Sequence, residues 1–214
     1  MKSLLSKILL FVFVVSLIGC AASYKPINPQ SISYNSHDVQ DGVSISYKYD
    51  VLAEKGNRKY ANKEEKKNVK LIAVKITNNT DSIINIGRDA IFYSGHTPLV
   101  PMDPSAVKQT IQQIVPAYLP YALLTFLTLN VTSGSSSEGY STESYPIGLA
   151  IGPTITIGNM ALAGASNKKL YEELTVYNLL NKDIKSGETV FGIFGLKETG
   201  YVPIKVKIKN KWFS

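Results

Sequence analysis

Residues that could carry out chemistry are few in this chain and lie far apart. The only two histidines, His37 and His96, have no second ligand at the spacing of a metal site. The serine- and glycine-rich stretch at residues 134–139 has hydroxyl groups but no neighbouring base to activate them. No zinc-protease, nucleophile-elbow or phosphate-loop motif occurs. We therefore predict a protein without catalytic residues, a metal site or a cofactor.

The remaining candidate for chemistry is Cys20, the only cysteine, which cannot form an intramolecular disulfide bond. It directly follows an apolar run that has Lys2 and Lys7 near its start. This run is too short to span a bilayer comfortably, and its charged-then-apolar layout is that of a secretory signal. We predict a signal peptide over residues 1–19. Cys20 is then either a buried thiol or a modified residue.

The segment Leu17-Ile18-Gly19-Cys20 resembles the lipobox of bacterial lipoproteins. In that family the cysteine is lipidated and becomes the first mature residue, so the resemblance implies a membrane anchor at Cys20. Two or three acyl chains form a stable anchor, because each buried methylene contributes about 0.8 kcal/mol. The next residue, Ala21, is not acidic, which by resemblance to lipoprotein sorting favours the outer membrane. We expect a lipid-anchored protein of the bacterial cell envelope, facing the periplasm or the cell surface.

The charge of the chain narrows the range of partners. The formal net charge is +7 and falls to +5 if Lys2 and Lys7 are removed with the signal peptide. Such an excess suits anionic lipid headgroups or acidic partners. The aromatic residues are not interleaved with the basic ones as a nucleic-acid-binding surface requires. We therefore expect no nucleic-acid partner.

After the anchor, the pattern predicts a tether and then strands. Residues 20–36 are polar with two prolines, which indicates a lipidated tether. Residues 44–51 alternate as a half-buried strand does, and residues 69–77 are apolar on both faces, which favours a central strand. Residues 202–211 carry a lysine row, which either protects a sheet edge or contacts lipid phosphates. The predicted inward-facing residues are Ile45, Tyr47, Tyr49, Ile72, Val74, Ile76, Ile204, Val206 and Ile208.

An apolar insertion at about residues 103–178 interrupts the strands. Asp103-Pro104 is a helix start, with a capping side chain before a proline at the first helical position. Two stretches within the insertion, residues 114–131 and 145–167, contain no charged side chain. We predict that they form the two arms of an α-helical hairpin.

Four residues of this hairpin are candidates for an interaction site. Leu123 and Leu127 lie one turn apart on the first predicted helix, and Gly148 and Gly152 allow close approach on the second. The arms are long enough to span a bilayer, but prolines and small polar residues weaken that interpretation. The loop between them also lacks the Lys and Arg favoured on a cytoplasmic side. A hairpin packed on the sheets and a membrane-associated hairpin both remain open.

Strand pairs on either side of the insertion predict an antiparallel β-sandwich. The segments 69–79 and 185–192 resemble a central strand with its polar turn, and a Gly-Glu turn into a late strand, in the immunoglobulin-like domains of exported bacterial lipoproteins of unknown function. The resemblance covers about residues 40–100 and 180–210 and implies an immunoglobulin-like sandwich there, whereas the apolar hairpin departs from the simple form of such domains. Together, the resemblance and the insertion predict an α+β fold over residues 37–214: an antiparallel immunoglobulin-like β-sandwich with an inserted apolar α-helical hairpin. The resemblance implies no catalytic residues.

These patterns favour a non-catalytic, lipid-anchored envelope protein that acts as a binding or assembly module. Its expected partners are the membrane, through acylated Cys20, and envelope proteins, through the apolar hairpin. The alternative is an accessory lipoprotein subunit of a secretion or transport machine, whose hairpin contacts the membrane or partner helices. An enzyme without a recognisable motif is the third possibility.

Overall fold

The computed structural model describes residues 19–135 and 139–209. It is an α+β fold with antiparallel sheets and one long apolar helix. Contacts divide the described chain into a small unit (residues 19–23 and 113–165) and a large unit (residues 24–112 and 166–209). The predicted signal peptide lies outside the described residues, apart from Gly19.

The elements follow one another along the chain, with short helices between strands and the long helix after the insertion. The strands are β1 (Ser36–Gln40), β2 (Val43–Lys48), β3 (Lys70–Asn78), β4 (Ile84–Asn85), β5 (Ala90–Ser94), β6 (Thr97–Leu99), β7 (Leu129–Ser135), β8 (Gly139–Tyr145), β9 (Asp183–Ile184), β10 (Thr189–Leu196) and β11 (Lys205–Ile208). The α-helices are α1 (Val51–Glu54), α2 (Arg58–Lys67), α3 (Ile86–Asp89), α4 (Pro104–Ile111) and α5 (Gly148–Val176), and two 3-10 helices cover Pro29–Ser31 and Val115–Phe126.

The large unit contains a four-stranded antiparallel sheet in the order β1-β2-β3-β10. β3 is central, as its apolar sequence predicts, and places Ile76 opposite Ile45 of β2 and Val74 opposite Gly192 of β10. Successive residues of β2 alternate between buried and half-buried. The period-two pattern therefore identified this strand correctly over residues 44–48, because alternate side chains of a strand face opposite sides of the sheet. The predicted strand is wrong at its end, since β2 stops at Lys48 and Val51 begins α1.

A three-stranded sheet, in the order β11-β5-β6, shares an apolar core with the first sheet. Ile45 enters this core from β2, while Phe92 and Val206 enter it from β5 and β11. Of the predicted inward-facing residues, Tyr49 and Ile208 are partly buried at the margin of the core, and the others are buried. The apolar pattern thus predicted the core well, although pairing between particular strands needed the structure.

The lysine row of the last predicted strand lines a sheet edge. β11 is the outer strand of its sheet, and Lys205 and Lys207 are exposed while Val206 between them is buried. Charged side chains at such an edge oppose pairing with a further strand. Lys211, the last lysine of the row, lies outside the described residues.

The other face of β3 is covered by helices. Leu71 of β3 belongs to a second core with Leu52 of α1, Tyr60 of α2, Ile111 of α4 and Leu170 of α5. Because β3 has apolar side chains on both faces, it contributes to both cores.

The segment at residues 20–36 differs from the predicted tether, because its large side chains are buried. Tyr24 and Ile27 belong to the second core. Glu173 of α5 accepts hydrogen bonds from the Tyr24 hydroxyl at 2.5 Å and from the N–H of Ile27 at 3.0 Å. It also accepts one from the N–H of Asn28, at 2.8 Å. A segment that is polar on average is therefore fixed by two apolar residues and one carboxylate.

The insertion begins as predicted but then departs from a helical hairpin. The Asp103 carboxylate accepts a hydrogen bond from the Ser105 N–H at 2.8 Å, and α4 begins at Pro104. The first uncharged stretch then forms the 3-10 helix Val115–Phe126 and β7. Pro120 disfavours an α-helix there, because it lacks an N–H and clashes with the preceding turn. The predicted hairpin is therefore wrong in its first arm, and only the second arm is α-helical, in α5.

Replacing Glu173 tests the fixation of this N-terminal segment. We expect Glu173→Ala to lower the free energy of unfolding by about 2–4 kcal/mol, because three donors lose a charged acceptor. Glu172→Ala is the matched control: its side chain is 57% exposed and pairs only with Lys168, at 3.7 Å. The control should stay within about 0.5 kcal/mol of wild type in denaturant unfolding followed by circular dichroism. Equal losses in both variants would contradict the assigned role.

Glu64 makes the stability of the large unit depend on pH. Burial, with a smaller contribution from the charge of Asp50, raises the pKa of Glu64 from 4.5 to about 7, although the N–H of Leu71 donates a hydrogen bond to its carboxylate. Between pH 4.5 and about pH 7, Glu64 keeps a proton in the folded state that it has released in the unfolded state. The free energy of unfolding therefore falls as the pH rises through this window.

We expect Glu64→Gln to remove this dependence. Wild type should lose up to about 3 kcal/mol relative to the variant between pH 4.5 and 8, as follows from about 1.4 kcal/mol for each pKa unit. Denaturant unfolding at several pH values measures the difference. Glu65→Gln, at an exposed neighbouring position, should keep the wild-type slope. An unchanged slope in Glu64→Gln would refute the assignment.

Candidate functional site

Cys20 is exposed, and the two residues after it are held in place by side-chain amides of the small unit. The N–H of Ala21 donates to Asn159 Oδ1 at 2.6 Å. The N–H of Ala22 donates to Gln113 Oε1 at 3.0 Å, and Gln113 Nε2 donates back to the Ala22 carbonyl at 2.7 Å. The side-chain amide of Gln113 thus both accepts a hydrogen bond from the backbone of Ala22 and donates one to it. This geometry fixes where a group attached to the Cys20 thiol would begin.

The small unit exposes many large apolar side chains and almost no charge. Phe126 is 81% exposed, and Leu123 is 68% exposed. Within its described residues, Glu143 is the only charged side chain. The exposed apolar residues that we call the apolar surface are Leu119, Leu123, Phe126, Leu129, Leu149, Ile151, Ile157 and Leu162. A contiguous chain region with this composition is typical of an interaction surface.

Helix α5 changes character along its length. In the small unit, Gly152, Thr156 and Ala163 form a buried face, while Leu149 and Ile157 are exposed and also apolar. In the large unit, α5 again buries one apolar face, and its exposed positions include Lys168, Lys169 and Glu172, although Val176 at its end is also 75% exposed. The exposed side of one continuous helix therefore passes from an uncharged apolar surface to a charged one.

The length and composition of α5 would allow it to cross a membrane. It is the only such helix among the described residues, and 28% of its most apolar 18-residue window is buried. A core helix of a soluble protein passes the same test of composition but is mostly buried. The low burial therefore sets α5 apart from an ordinary core helix.

Gly148 and Gly152 lie against the end of the 3-10 helix. A methyl group added at Gly148 would come within 2.5 Å of the Thr125 carbonyl oxygen, and one added at Gly152 within 2.5 Å of the Thr125 nitrogen. The N–H of Gly148 also donates to the Leu127 carbonyl at 2.9 Å. The predicted glycine pair therefore faces backbone, although this backbone belongs to the 3-10 helix and its end rather than to a second α-helix.

The two candidate leucines differ in their surroundings. Leu123 lies within the 3-10 helix and is exposed, whereas Leu127 follows the helix in an extended conformation and is half-buried. The prediction that they lie one turn apart on an α-helix is wrong, because that helix does not form. Leu123 belongs to the apolar surface, and Leu127 contributes its backbone to the contact with Gly148.

Strands β7 and β8 form a separate two-stranded sheet. In the part of the chain that the structure describes, they pair only with each other. Cross-strand hydrogen bonds join Thr132 to Thr142 at 2.9 Å and Ser144 to Asn130 at 2.6 Å. Their outer edges leave backbone N–H and C=O groups without a neighbouring strand, which is a template for further pairing.

The histidines lie away from this surface. His37 Nδ1 is 3.0 Å from Ser46 Oγ, and His96 lines a shallow cavity of about 290 Å³ with Tyr93 and Lys207. Within the described ranges, no group of three or more His, Cys, Asp or Glu side chains is arranged to hold a metal ion.

Sequence reasoning missed Gln113 and Asn159, which hold the residues after Cys20. Their only signal was a lone amide within or beside an uncharged stretch, where a polar side chain needs a partner. It also missed Phe126, the most exposed member of the apolar surface.

Comparisons with known proteins supply no template for this arrangement. No protein-family model, curated protein or solved structure matches the chain. Any functional inference therefore depends on the residues of the chain itself.

The glycines of α5 offer a direct test of packing in the small unit. We expect Gly152→Ala to lower the free energy of unfolding by about 1–3 kcal/mol, because the added methyl group overlaps backbone that cannot move freely. Gly158→Ala is the matched control, with no atom within 4 Å of the added methyl group. It should be neutral or stabilising by up to about 1 kcal/mol, since alanine favours a helix. Denaturant unfolding compares the two, and destabilisation by Gly158→Ala alone would contradict the contact.

Proposed function

We propose that this chain is a non-catalytic, lipid-anchored protein of the bacterial cell envelope that acts as a binding or assembly module. The anchor is an acyl-modified Cys20, and the expected location is the outer membrane. One observation carries the proposal: an exposed cysteine belongs to a unit that exposes many large apolar side chains and, among its described residues, a single charged one.

The surroundings of Cys20 support its modification. Its side chain is exposed, so acyl chains can leave the protein without disturbing a core. The hydrogen bonds at Ala21 and Ala22 hold the backbone that follows. The preceding segment, Leu17-Ile18-Gly19, has the sequence expected before a lipidated cysteine.

We further propose that the two sheets of the large unit form an immunoglobulin-like β-sandwich. The support is their shared core, to which strands of both sheets contribute buried side chains. A sandwich of this kind presents loops and sheet edges on a rigid frame, which suits a module that binds other proteins.

A second candidate is an accessory lipoprotein subunit of a secretion or transport machine. The observation that favours it is the β7–β8 sheet, whose edges are unpaired within the described residues. A two-stranded sheet is only marginally stable in water alone, and an added strand from a partner would stabilise it.

Cys20→Ala tests the anchor. We expect the variant to incorporate no radiolabelled fatty acid in bacterial cells and to accumulate as an unprocessed precursor, because the acceptor thiol is gone. Ala22→Ser, two residues away, is the control and should be labelled as wild type is. Labelling of Cys20→Ala at the wild-type level would refute the proposed anchor.

Purification from solubilised membranes distinguishes the two candidate functions. A machine subunit should bring down the same partners in fixed ratio, and substitution of Thr132 and Thr142 with proline should release them by removing N–H donors from β7 and β8. If the partners are retained, strand pairing is not how they bind.

A further inference from the structure

We infer that the small unit lies on the lipid leaflet that holds the acyl chains of Cys20, with its apolar surface at the boundary between headgroups and acyl chains. The inference rests on the proposed lipid anchor and deepens it. It names the bilayer as the partner of the apolar surface.

The first argument is the short distance between the anchor and the unit. The backbone N–H groups of Ala21 and Ala22 are hydrogen-bonded to Asn159 and Gln113, so the first fixed backbone group belongs to the residue directly after Cys20. A residue spans at most about 3.6 Å. A cysteine held at the leaflet surface by its acyl chains therefore keeps the small unit at that surface, unless these hydrogen bonds break.

The second argument is the change along α5. Its part in the small unit, residues 148–165, extends about 27 Å at 1.5 Å per residue and exposes apolar side chains. Directly after it come Lys168 and Lys169, both exposed. Lysines at the margin of an apolar surface extend their charged ends toward water and anionic headgroups. A lipid surface matches this order of side chains.

The third argument decides between lying on the membrane and crossing it. The β7–β8 sheet follows the 3-10 helix and precedes α5, and its edges are unpaired within the described residues. Unpaired backbone groups cost several kcal/mol each in hydrocarbon, so open sheet edges stay out of it. If the anchored Cys20 holds Asn159 at the leaflet surface and α5 pointed across the bilayer, Gly148, where the sheet joins the helix, would lie about 16 Å deep at 1.5 Å per residue, which is inside a hydrocarbon core about 30 Å thick. The small unit therefore lies in the interface, as amphipathic membrane-surface helices do.

A second copy of the chain is the competing occupant of the apolar surface. Such a copy would need no particular position for Cys20 and would leave the lysines after the surface unexplained. The apolar surface belongs to the same unit as the proposed anchor, and this favours lipid as its occupant.

Fluorescence of single tryptophans in the full lipidated chain tests the inference. Trp212→Phe removes the only native tryptophan, and Phe126→Trp or Ile157→Trp then places a reporter on the apolar surface. Tyr140→Trp is the control, since Tyr140 is 71% exposed in the same unit but lies on β8, in the sheet that stays out of hydrocarbon. The proteins are reconstituted into vesicles of phosphatidylethanolamine and phosphatidylglycerol whose acyl chains carry bromine, a quencher that acts only on contact.

We expect brominated lipid to quench both surface reporters and to leave the Tyr140→Trp reporter at its intensity in unbrominated vesicles. Bromine near the headgroups should quench more than bromine near the chain ends, equally at Ile157→Trp and at Leu149→Trp. If bromine near the chain ends quenched Ile157→Trp more strongly while bromine near the headgroups quenched Leu149→Trp more strongly, the two reporters would lie at different depths. That result would show a spanning helix and overturn the inference. So would the absence of quenching at both surface reporters in vesicle-bound protein, or equal quenching at Tyr140→Trp.

The mass of the same samples separates this inference from the proposed anchor. Acylated protein without quenching overturns the lipid-contacting surface and leaves the anchor in place. Quenching without acylation refutes the anchor and supports the surface. Self-association of the vesicle-bound protein in place of quenching assigns the surface to a second copy and overturns the inference.

Discussion

The backbone between Cys20 and the first 3-10 helix has no regular structure, so its N–H groups need side-chain acceptors. Buried or half-buried backbone donors that lack a partner cost as much as a lost hydrogen bond. The acceptors are Asn159 for Ala21, Gln113 for Ala22, Ser166 for Tyr24, Asn57 for Lys25, and Glu173 for Ile27 and Asn28. All are distant in sequence. The position of the candidate anchor thus depends on the completed fold rather than on its own local sequence.

The elements that could be predicted are those whose signal is local. The alternation of β2 and the continuous apolar run of β3 each specify how a strand is buried, whatever its partners are. The Asp103-Pro104 pair specifies a helix start in the same way, through one side-chain acceptor and one fixed backbone angle. The pairing of strands is not local. Ile84 and Asn85 of β4 pair with β9, almost a hundred residues away, and not with the preceding strand β3.

The composition of the candidate site could be predicted from the sequence, but its secondary structure could not. Two uncharged stretches were evident from the sequence, but hydrophobicity alone does not distinguish an α-helix from a 3-10 helix followed by a strand. Pro120 and the threonines after Phe126 made that choice locally, because proline interrupts an α-helix and β-branched residues favour strands. The prediction of a tether over residues 20–36 failed because it depended on average composition. The average composition of this segment is polar, yet Tyr24 and Ile27 are enough to bury it.

Apolar residues serve two physical roles in this chain, and burial separates them. Those of β3 and those on the buried face of α5 in the large unit are removed from water by the protein itself, as Leu71 and Leu170 show. Those of the small unit are not: Phe126 and Ile157 remain exposed although no charge lies beside them. Leaving such side chains in water forgoes about 1.5–3 kcal/mol each. The protein recovers that free energy only where something else covers the surface, and the proposed acylation of the exposed cysteine in the same unit would make lipid the nearest apolar phase.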